Sequence, residues 1–496
     1  MAVRCHERHP GVKAHTIARD ERMLYTGLVL GGIGNDQRLI RLYHHAAQLL
    51  SPQFLRGASQ NFGVSKNKGM NGEDQAQLAF DTLMAEVRAE LGPHATLNAI
   101  EAALVQRQPL LMRSIVQQLQ QEAPPAEELL PLGAEWIRDG RGRKWVSTLW
   151  GKVQTPVQRW RQRSGGKTTS TLIDPDLDGS GWTEQALTRL LDMAVRLPYQ
   201  EASGVVCTYG LSISGAELAR LFECYSKDAD QHVKNQLHAL ELLPLEAPRE
   251  KGGRVMVLQA DGVFVLGRTS VTPEQGSGIE IKTALVYPQQ APQQRTRLAS
   301  VCTASEFLPL CSGLLRHAGL RLQDTLVAVT DGALWLAFLC EVLGVSQHIL
   351  DVYHSSMYLS VVMEALGWSS ERREAMQIQW VQGQWSGRKW LETHLPSEMR
   401  SGWSTEAHTA VSYLKKRLDM MEYPRYQERG FPIGSGQIEG MNKQVIGGRM
   451  KGSGMRWTRP GARTMAAVRA QHFSVRPLVS VKVRRHAAFP RPTPKF

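Results

Sequence analysis

The chain has 496 residues and a mass of 55.3 kDa, which at roughly 150 residues per domain predicts about three domains. Hydrophobic residues make up 42% of it and charged residues 21%, a balance that excludes a fibrous, collagen-like or wholly disordered chain. The six cysteines include no CxxC or CxxH pair, so we expect reduced thiols and no zinc site. Since no apolar run is long enough for a secretory signal or a membrane span, we expect a cytoplasmic protein.

The formal net charge of +13 is concentrated in two stretches. From Lys443 to the end of the chain there are thirteen Lys or Arg and no Asp or Glu, and residues 138–167 hold nine basic residues against one acid, interleaved with Trp145, Trp150 and Trp160. Basic stretches with aromatic residues are typical of surfaces that bind phosphates and bases. They favour DNA binding over the alternative, which is a solvated face and a flexible tail.

The first 250 residues predict four segments ahead of the main domain. Residues 1–70 are an uncertain N-terminal segment, and 71–135 are helical, with apolar residues at three- and four-residue spacing. Residues 136–182 are predicted to form a basic β-hairpin and a linker. The side-chain pattern alternates over 144–161, which predicts the hairpin, and 164–170 are a flexible join. Residues 183–250 predict short helices, which suit a helix-turn-helix DNA reader or an ordinary helical bundle.

From residue 251 the pattern becomes α/β. Apolar strands are predicted at 255–261, 263–266, 279–286, 326–331 and from 347, and helices at 304–316, 334–342 and 356–366; strands that are apolar throughout are buried on both faces. About residues 369–425 the strand pattern gives way to a mostly helical insertion rich in tryptophan. We expect these tryptophans to form its core rather than a stacking platform for bases.

Two carboxylates, Asp261 and Asp331, each follow an apolar strand and precede a glycine, and Glu439 lies in the first turn of a later helix. An acid at a strand end is often a turn residue, and an acid at a helix start stabilises the helix dipole. Three acids that converge repel one another unless divalent cations neutralise them. Oxygen ligands without cysteine favour Mg²⁺ or Mn²⁺, and two such ions activate in-line displacement at phosphorus.

This arrangement of Asp261, Asp331 and Glu439 resembles the DDE triad of bacterial insertion-sequence transposases, whose catalytic core is RNase H-like. The resemblance covers about residues 140–475 and includes the helical insertion. In the branch related to Mutator-like transposases, a C/D-x-x-H motif follows the second Asp, and Asp351-Val-Tyr-His354 matches it. The resemblance implies that the three acids are catalytic and bind the metal ions. His354 is either an active-site residue or a structural histidine.

The segment from Gly434 to Ala462 resembles the family's sequence around the catalytic Glu most closely. It implies a DNA-contacting groove formed by Lys443, Arg449, Lys451, Arg456 and Trp457. In the hairpin we expect DNA contacts from Lys144, Lys152, Arg159 and Arg161. Related proteins often carry zinc-binding cysteine pairs at 159–166, and this chain has none there, so no zinc is expected.

The sequence therefore predicts an α/β protein with an RNase H-like core at 251–475, mostly helical DNA-binding regions before it and a basic tail at 476–496. The resemblance implies a transposase that binds the inverted repeats at the ends of its element and cuts and joins DNA strands with Mg²⁺, as a dimer or larger assembly. Two alternatives stay open: an RNase H-like nuclease without strand transfer, and a DNA-binding relative without catalysis.

Overall fold

A computed structural model describes residues 72–91, 95–122, 134–172, 181–246, 253–268, 278–395 and 402–479. The predicted segment 1–70 and most of the predicted basic tail lie outside these residues. The chain divides into two compact units, Met1–Pro124 and Pro125–Phe496. Within the described ranges, no helix has both the length and the apolar character needed to cross a membrane.

The described residues of the first unit form two helices, α1 (Gly72–Leu91) and α2 (Leu97–Glu122). They pack through a small apolar cluster that includes Leu83, Val87 and Ala103. Both helices lie within the segment 71–135 that was predicted to be helical.

The second unit begins with a three-stranded antiparallel sheet of β1 (Trp136–Thr148), β2 (Gly151–Gln162) and β3 (Thr168–Leu172), in that order. The predicted hairpin is confirmed and is longer than expected. The flexible join was wrong in part, because Thr168–Leu172 forms a strand that pairs with β2. Its three threonines are β-branched and suit a strand.

Four helices follow the first sheet: α3 (Glu184–Arg196), α4 (Tyr199–Cys207), α5 (Gly215–Ser226) and α6 (Ala229–Glu241). The side chain of Ser214 caps α5 by accepting from the backbone N–H of Glu217. The apolar faces of these helices share one core with Val257 and Ile281 of the second sheet. The helices are thus packed onto that sheet, and their helix-turn-helix role stays a prediction.

The second sheet has five strands, in the order β6-β5-β4-β7-β8. The strands are β4 (Val255–Leu266), β5 (Gly278–Pro288), β6 (Thr296–Ser300), β7 (Thr325–Thr330) and β8 (Gln347–Leu350). Strands β4, β5 and β6 pair antiparallel, whereas β4, β7 and β8 run parallel. The predicted strands 255–261 and 263–266 are one strand, because β5 pairs with it straight through Gly262. Strand β6 was not predicted.

Helices cover both faces of the second sheet. Helices α7 (Ala304–His317), α8 (Leu334–Val342) and α9 (Val352–Ala365) follow β6, β7 and β8. The insertion holds α10 (Ser370–Val381), α11 (Gly387–His394), α12 (Thr405–Lys415) and α13 (Tyr423–Glu428). Trp380 and Trp390 are fully buried in the core of the insertion, and Trp368, Trp385 and Trp403 pack against it. The prediction that these tryptophans are core residues is confirmed.

The chain returns to the sheet through α14 (Gly436–Asn442), which continues as a π turn over Lys443–Gly447 and then α15 (Gly448–Met450). Helix α16 (Arg459–His472) follows and packs on β6. Ile438 and Met441 bury one face of α14 in the core shared with α3 to α5. A π turn inside an α-helix is common at functional sites, and this one follows the helix that carries Glu439.

Candidate catalytic site at the carboxylates

The strand register brings Asp261 and Asp331 together. In the parallel pair of β4 and β7, Gln259 lies opposite Val329, and both acids lie two residues further along. Adjacent strands are about 4.8 Å apart, so this register puts the two acids side by side. Strand β7 ends at Thr330, whereas β4 continues through Asp261. The expectation that both acids terminate their strands was therefore wrong for Asp261, although the charge of Asp331 does act on Asp261.

Helix α14 brings the third acid, Glu439, to the same place. Burial raises the pKa of Asp261, and the charges of Asp331 and Glu439 raise it further. The backbone N–H of Gly262 and the side-chain amide of Asn442 oppose this rise by donating hydrogen bonds to the carboxylate. The charges of Asp331, after the neighbouring strand, and of Glu439, on a helix, both act on Asp261, and a cation would stabilise a site of this kind.

Asn442 is a member of this site that the sequence did not single out as functional. Its Nδ2 donates to Oδ2 of Asp261 at 2.7 Å, from one turn beyond Glu439 on the same helix. Its Oδ1 is buried and has no hydrogen-bond partner among the described residues. A buried oxygen without a donor costs free energy, and a bound cation or its water would satisfy it.

The donor set fits a divalent cation that prefers oxygen. Three carboxylates and one amide are the ligand types of Mg²⁺ and Mn²⁺. Within the described ranges, however, no three His, Cys, Asp or Glu side chains are already close enough to hold one ion together. The residues that would hold the metal are Asp261, Asp331 and Glu439, and their side chains would have to draw in around it.

The helical insertion holds the turn that carries Asp331. The hydroxyl of Tyr413 donates to the backbone oxygen of Asp331 at 2.5 Å. The guanidinium of Arg417 donates to the oxygen of Gly332, at 2.7 Å from Nη2 and 3.0 Å from Nε, and stacks on the Tyr413 ring at 3.7 Å. Gly332 has φ +76° and no room for a Cβ. No sequence pattern pointed to Tyr413 or Arg417, because they lie more than 80 residues from Asp331.

His354 lies in the first turn of α9, where Asp351 caps the helix by accepting from the His354 backbone N–H at 2.7 Å. Its ring contacts Tyr358 and Tyr413, with centroids 5.5 and 6.0 Å away. Tyr413 connects this ring cluster to Asp331 through the hydrogen bond described above. His354 is therefore linked to the turn of the second acid through Tyr413, and its catalytic role stays a prediction.

Four of the five predicted DNA contacts after Glu439 lie on exposed or half-buried positions. Lys443, Lys451 and Arg456 are exposed, and Trp457 is half-buried, with its indole N–H donating to Met450 at 2.9 Å. The fifth, Arg449, is contradicted by the structure. Its side chain is 2% exposed, donates to the backbone of Ala194 and stacks on Tyr199 and Trp457. Burial also lowers its pKa. Arg449 joins α15 to α3 and does not face solvent.

The hairpin separates its four predicted DNA contacts onto two faces. All four, Lys144, Lys152, Arg159 and Arg161, are exposed. Lys144 pairs with the buried Thr155, so it shares a face with the buried Val146 and Val153. By strand alternation, Arg159 and Arg161 lie on this face too.

Lys152 lies on the opposite face of the hairpin, which includes the buried Ser147 and Trp160 together with several exposed residues. It pairs with Ser147, and on the same face Trp145 is 57% exposed, beside the exposed Arg141 and Arg143. This set of three cations and one tryptophan, called the open hairpin face below, is the more complete surface for a nucleic acid, since it combines charge with a stacking group.

No family model matches the chain, and no curated protein matches it. Among solved structures, the chain is similar to a Drosophila P element transposase strand transfer complex, with a TM-score of 0.23, 10% identity, and 59% of this chain and 79% of that chain covered. It is also similar to a Mos1 strand transfer complex, with a TM-score of 0.14, 11% identity, and 51% and 82% covered. With TM-scores this low, neither likeness assigns a function to this chain.

Proposed function

We propose that the chain is a DNA transposase that cuts and joins DNA strands through Asp261, Asp331 and Glu439. One observation carries this proposal: the parallel register sets Asp261 beside Asp331, and the charges of Asp331 and Glu439 both act on Asp261. Carboxylates that repel one another in a folded protein are costly unless they bind cations. The site thus has the chemistry of a metal-dependent phosphoryl transferase.

The sheet around the site supports an RNase H-like core. Three antiparallel strands are followed by two parallel strands, in the order β6-β5-β4-β7-β8. Counted along the chain, the first acid is on the first strand of this sheet, β4, and the second acid follows the fourth strand, β7. The DDE transposases that the sequence resembles have the same arrangement. The insertion and the Asp351-x-x-His354 motif favour the bacterial branch related to Mutator-like elements.

In the proposed reaction Asp261, Asp331 and Glu439 would hold about two ions of Mg²⁺ or Mn²⁺. Metal ions bound there would activate a water or a DNA 3′-hydroxyl as the nucleophile and stabilise the leaving oxygen. Tyr413 and Arg417 fix the backbone at Asp331, and Asn442 orients the Asp261 carboxylate. His354 borders the space beside Asp331, where it could contact the leaving group or the displaced strand.

The DNA substrate would lie along exposed cationic surfaces. Lys443, Lys451 and Arg456 follow the third acid and would contact the backbone near the reacting phosphate. The hairpin residues Lys144, Lys152, Arg159 and Arg161 would bind the inverted repeats at the element ends. Two ends must be cut together, so we propose that the working form is a dimer or a larger assembly.

The experiment that tests this function is incubation of the full chain with Mg²⁺ and a labelled duplex carrying the terminal repeats that flank its gene. We expect cleavage and joining by the wild type, and neither reaction by Asp331→Asn with DNA binding retained. Glu341→Gln, which neutralises an exposed acid on α8, is the matched control and should stay active. Cleavage without joining would identify a nuclease instead, and binding without Mg²⁺-dependent chemistry would identify an inactive relative.

A further inference from the structure

A buried glutamine, Gln259, joins the strand of the first acid to the helix of the third. It is 0% exposed and lies two residues before Asp261 on β4, on the same face of the strand. Its Oε1 accepts from the backbone N–H of Ile438 at 2.9 Å, and its Nε2 donates to the backbone oxygen of Gly434 at 3.2 Å. Both ends of one side chain thus hold the segment that begins α14.

Asp351 holds the same segment from the other side. It is 3% exposed, and its Oδ1 accepts from the backbone N–H of Ser435 at 2.7 Å while its Oδ2 caps α9. The backbone of Val352 also donates to Ile433 at 2.9 Å. The start of α14 is thereby fixed to β4 through Gln259 and to α9 through Asp351.

This anchoring has a consequence for the acids. Ser435, which precedes α14, makes no side-chain cap bond to it, so the first turn of the helix must be held by other contacts. The orientation of Glu439, one residue after Ile438, depends on what holds that end. A buried polar side chain is costly unless both its donor and its acceptor are bonded. The Oε1 of Gln259 bonds only the segment that presents Glu439, and its Nε2 bonds that segment and the hydroxyl of Tyr287.

We propose that Gln259 is a positioning residue of the metal centre, which sets the distance of Glu439 from Asp261. It is fully buried and acts through the backbone of Gly434 and Ile438. The inference rests on the proposed function, since it assumes that the acids share a cation. Residues that orient metal ligands typically change metal affinity by 10- to 100-fold when they are replaced.

The chain offers a matched control in Gln471. It is also buried, at 2% exposed, and its amide likewise donates to a backbone oxygen, of Arg297 at 3.1 Å, and accepts from a backbone N–H, of Leu478 at 2.8 Å. These contacts join α16 to β6 and to the segment that follows α16. None of them involves the acids. Gln259→Met and Gln471→Met therefore remove the same kind of bonds at two places, with side-chain volume nearly unchanged.

The test is a titration of the full-length chain with Mn²⁺, followed by electron paramagnetic resonance, together with Mg²⁺-dependent cleavage rates. We expect Gln259→Met to weaken Mn²⁺ binding by 10- to 100-fold and to raise the Mg²⁺ concentration needed for half-maximal cleavage, with the KM for DNA unchanged. Gln471→Met should lose similar thermal stability and keep Mn²⁺ affinity within about twofold of the wild type.

The outcomes separate this inference from the proposed function. If the wild type binds Mn²⁺ and cleaves DNA, but Gln259→Met binds Mn²⁺ as tightly as Gln471→Met does, Gln259 has no positioning role and the function stands. If the wild type binds no Mn²⁺, both the positioning role of Gln259 and the proposed function are refuted. Should Gln259→Met not fold, Asp351→Asn loosens the same segment and retains the α9 cap; unchanged Mn²⁺ affinity in that variant would also overturn the inference.

Discussion

The glycine after Asp331 allows a sharp test of how tightly the second acid is held. Gly332 has φ +76°, and a Cβ built on it would lie 2.7 Å from Arg417 Nε, 2.7 Å from Leu350 Cδ1 and 2.9 Å from the Tyr413 hydroxyl. Gly344 has φ +65° and no atom within 4 Å of its Cβ position. Alanine at either position has the same left-handed strain, but only Gly332→Ala also collides with its neighbours.

The expected magnitudes follow from these two contributions. Left-handed backbone costs a non-glycine residue about 1–2 kcal/mol, so Gly344→Ala should lower the free energy of unfolding by that amount. Overpacking typically adds about 1–3 kcal/mol, so Gly332→Ala should lose about 2–5 kcal/mol in total. Its collisions also push Tyr413 and Arg417 away from the turn, and the cleavage rate should therefore fall as well.

Urea unfolding of the two variants and the wild type measures the first effect, and Mg²⁺-dependent cleavage measures the second. We expect the larger loss of stability for Gly332→Ala, and a loss of cleavage rate for that variant alone. Equal losses of stability in the two variants, or a full cleavage rate in Gly332→Ala, would refute the reasoning, because the turn at Asp331 would then tolerate a side chain at no extra cost.

Two further predictions concern DNA binding and stability. Trp145→Ala should weaken binding of single-stranded DNA by about 1–3 kcal/mol per stacked base, whereas Tyr209→Ala, which removes another exposed aromatic ring, should not; equal binding by both in a fluorescence titration would exclude the open hairpin face. Burial opposes ionisation of Asp324, but hydrogen bonds from Arg254 outweigh this effect and lower the pKa of Asp324. The stability that this pair contributes is therefore fully present above the ordinary pKa of Asp. It is lost as the pH falls through the lowered pKa of Asp324 in the folded protein. Arg254→Met should thus be less stable than the wild type at neutral pH by about 1.5–3 kcal/mol, and urea unfolding that shows the same difference in acid would contradict this.

The side chains that define the site could be found from the sequence because their chemistry is local. Asp261 and Asp331 stand out since each follows an apolar run, and Glu439 since it opens a helix after a glycine-rich turn. The helices of the first unit and the tryptophan-rich core were predicted for the same reason: three- and four-residue spacing and the burial of large aromatic rings depend on nearby residues.

Other features depended on partners far along the chain. Gly262 looked like a turn, but the strand runs through it because β5 pairs alongside. Arg449 looked like a DNA contact because it lies in a basic segment, and it is buried because Tyr199 and Trp457 enclose its guanidinium. No sequence pattern distinguishes a solvated arginine from one that is stacked between two rings.

The sequence by itself determined the α/β class of the second unit, the identity of the three acids and the places where cationic charge collects. The tertiary structure decided how those pieces meet: the register that sets Asp261 beside Asp331, the buried Gln259 that fastens α14, and the insertion that fixes the second acid through Tyr413. The physical reason is the separation of the interacting residues along the chain. Periodicity and composition depend on neighbours within a few turns, whereas these hydrogen bonds join residues 82 and 179 positions apart. Such pairs form only when the strands and helices have packed together.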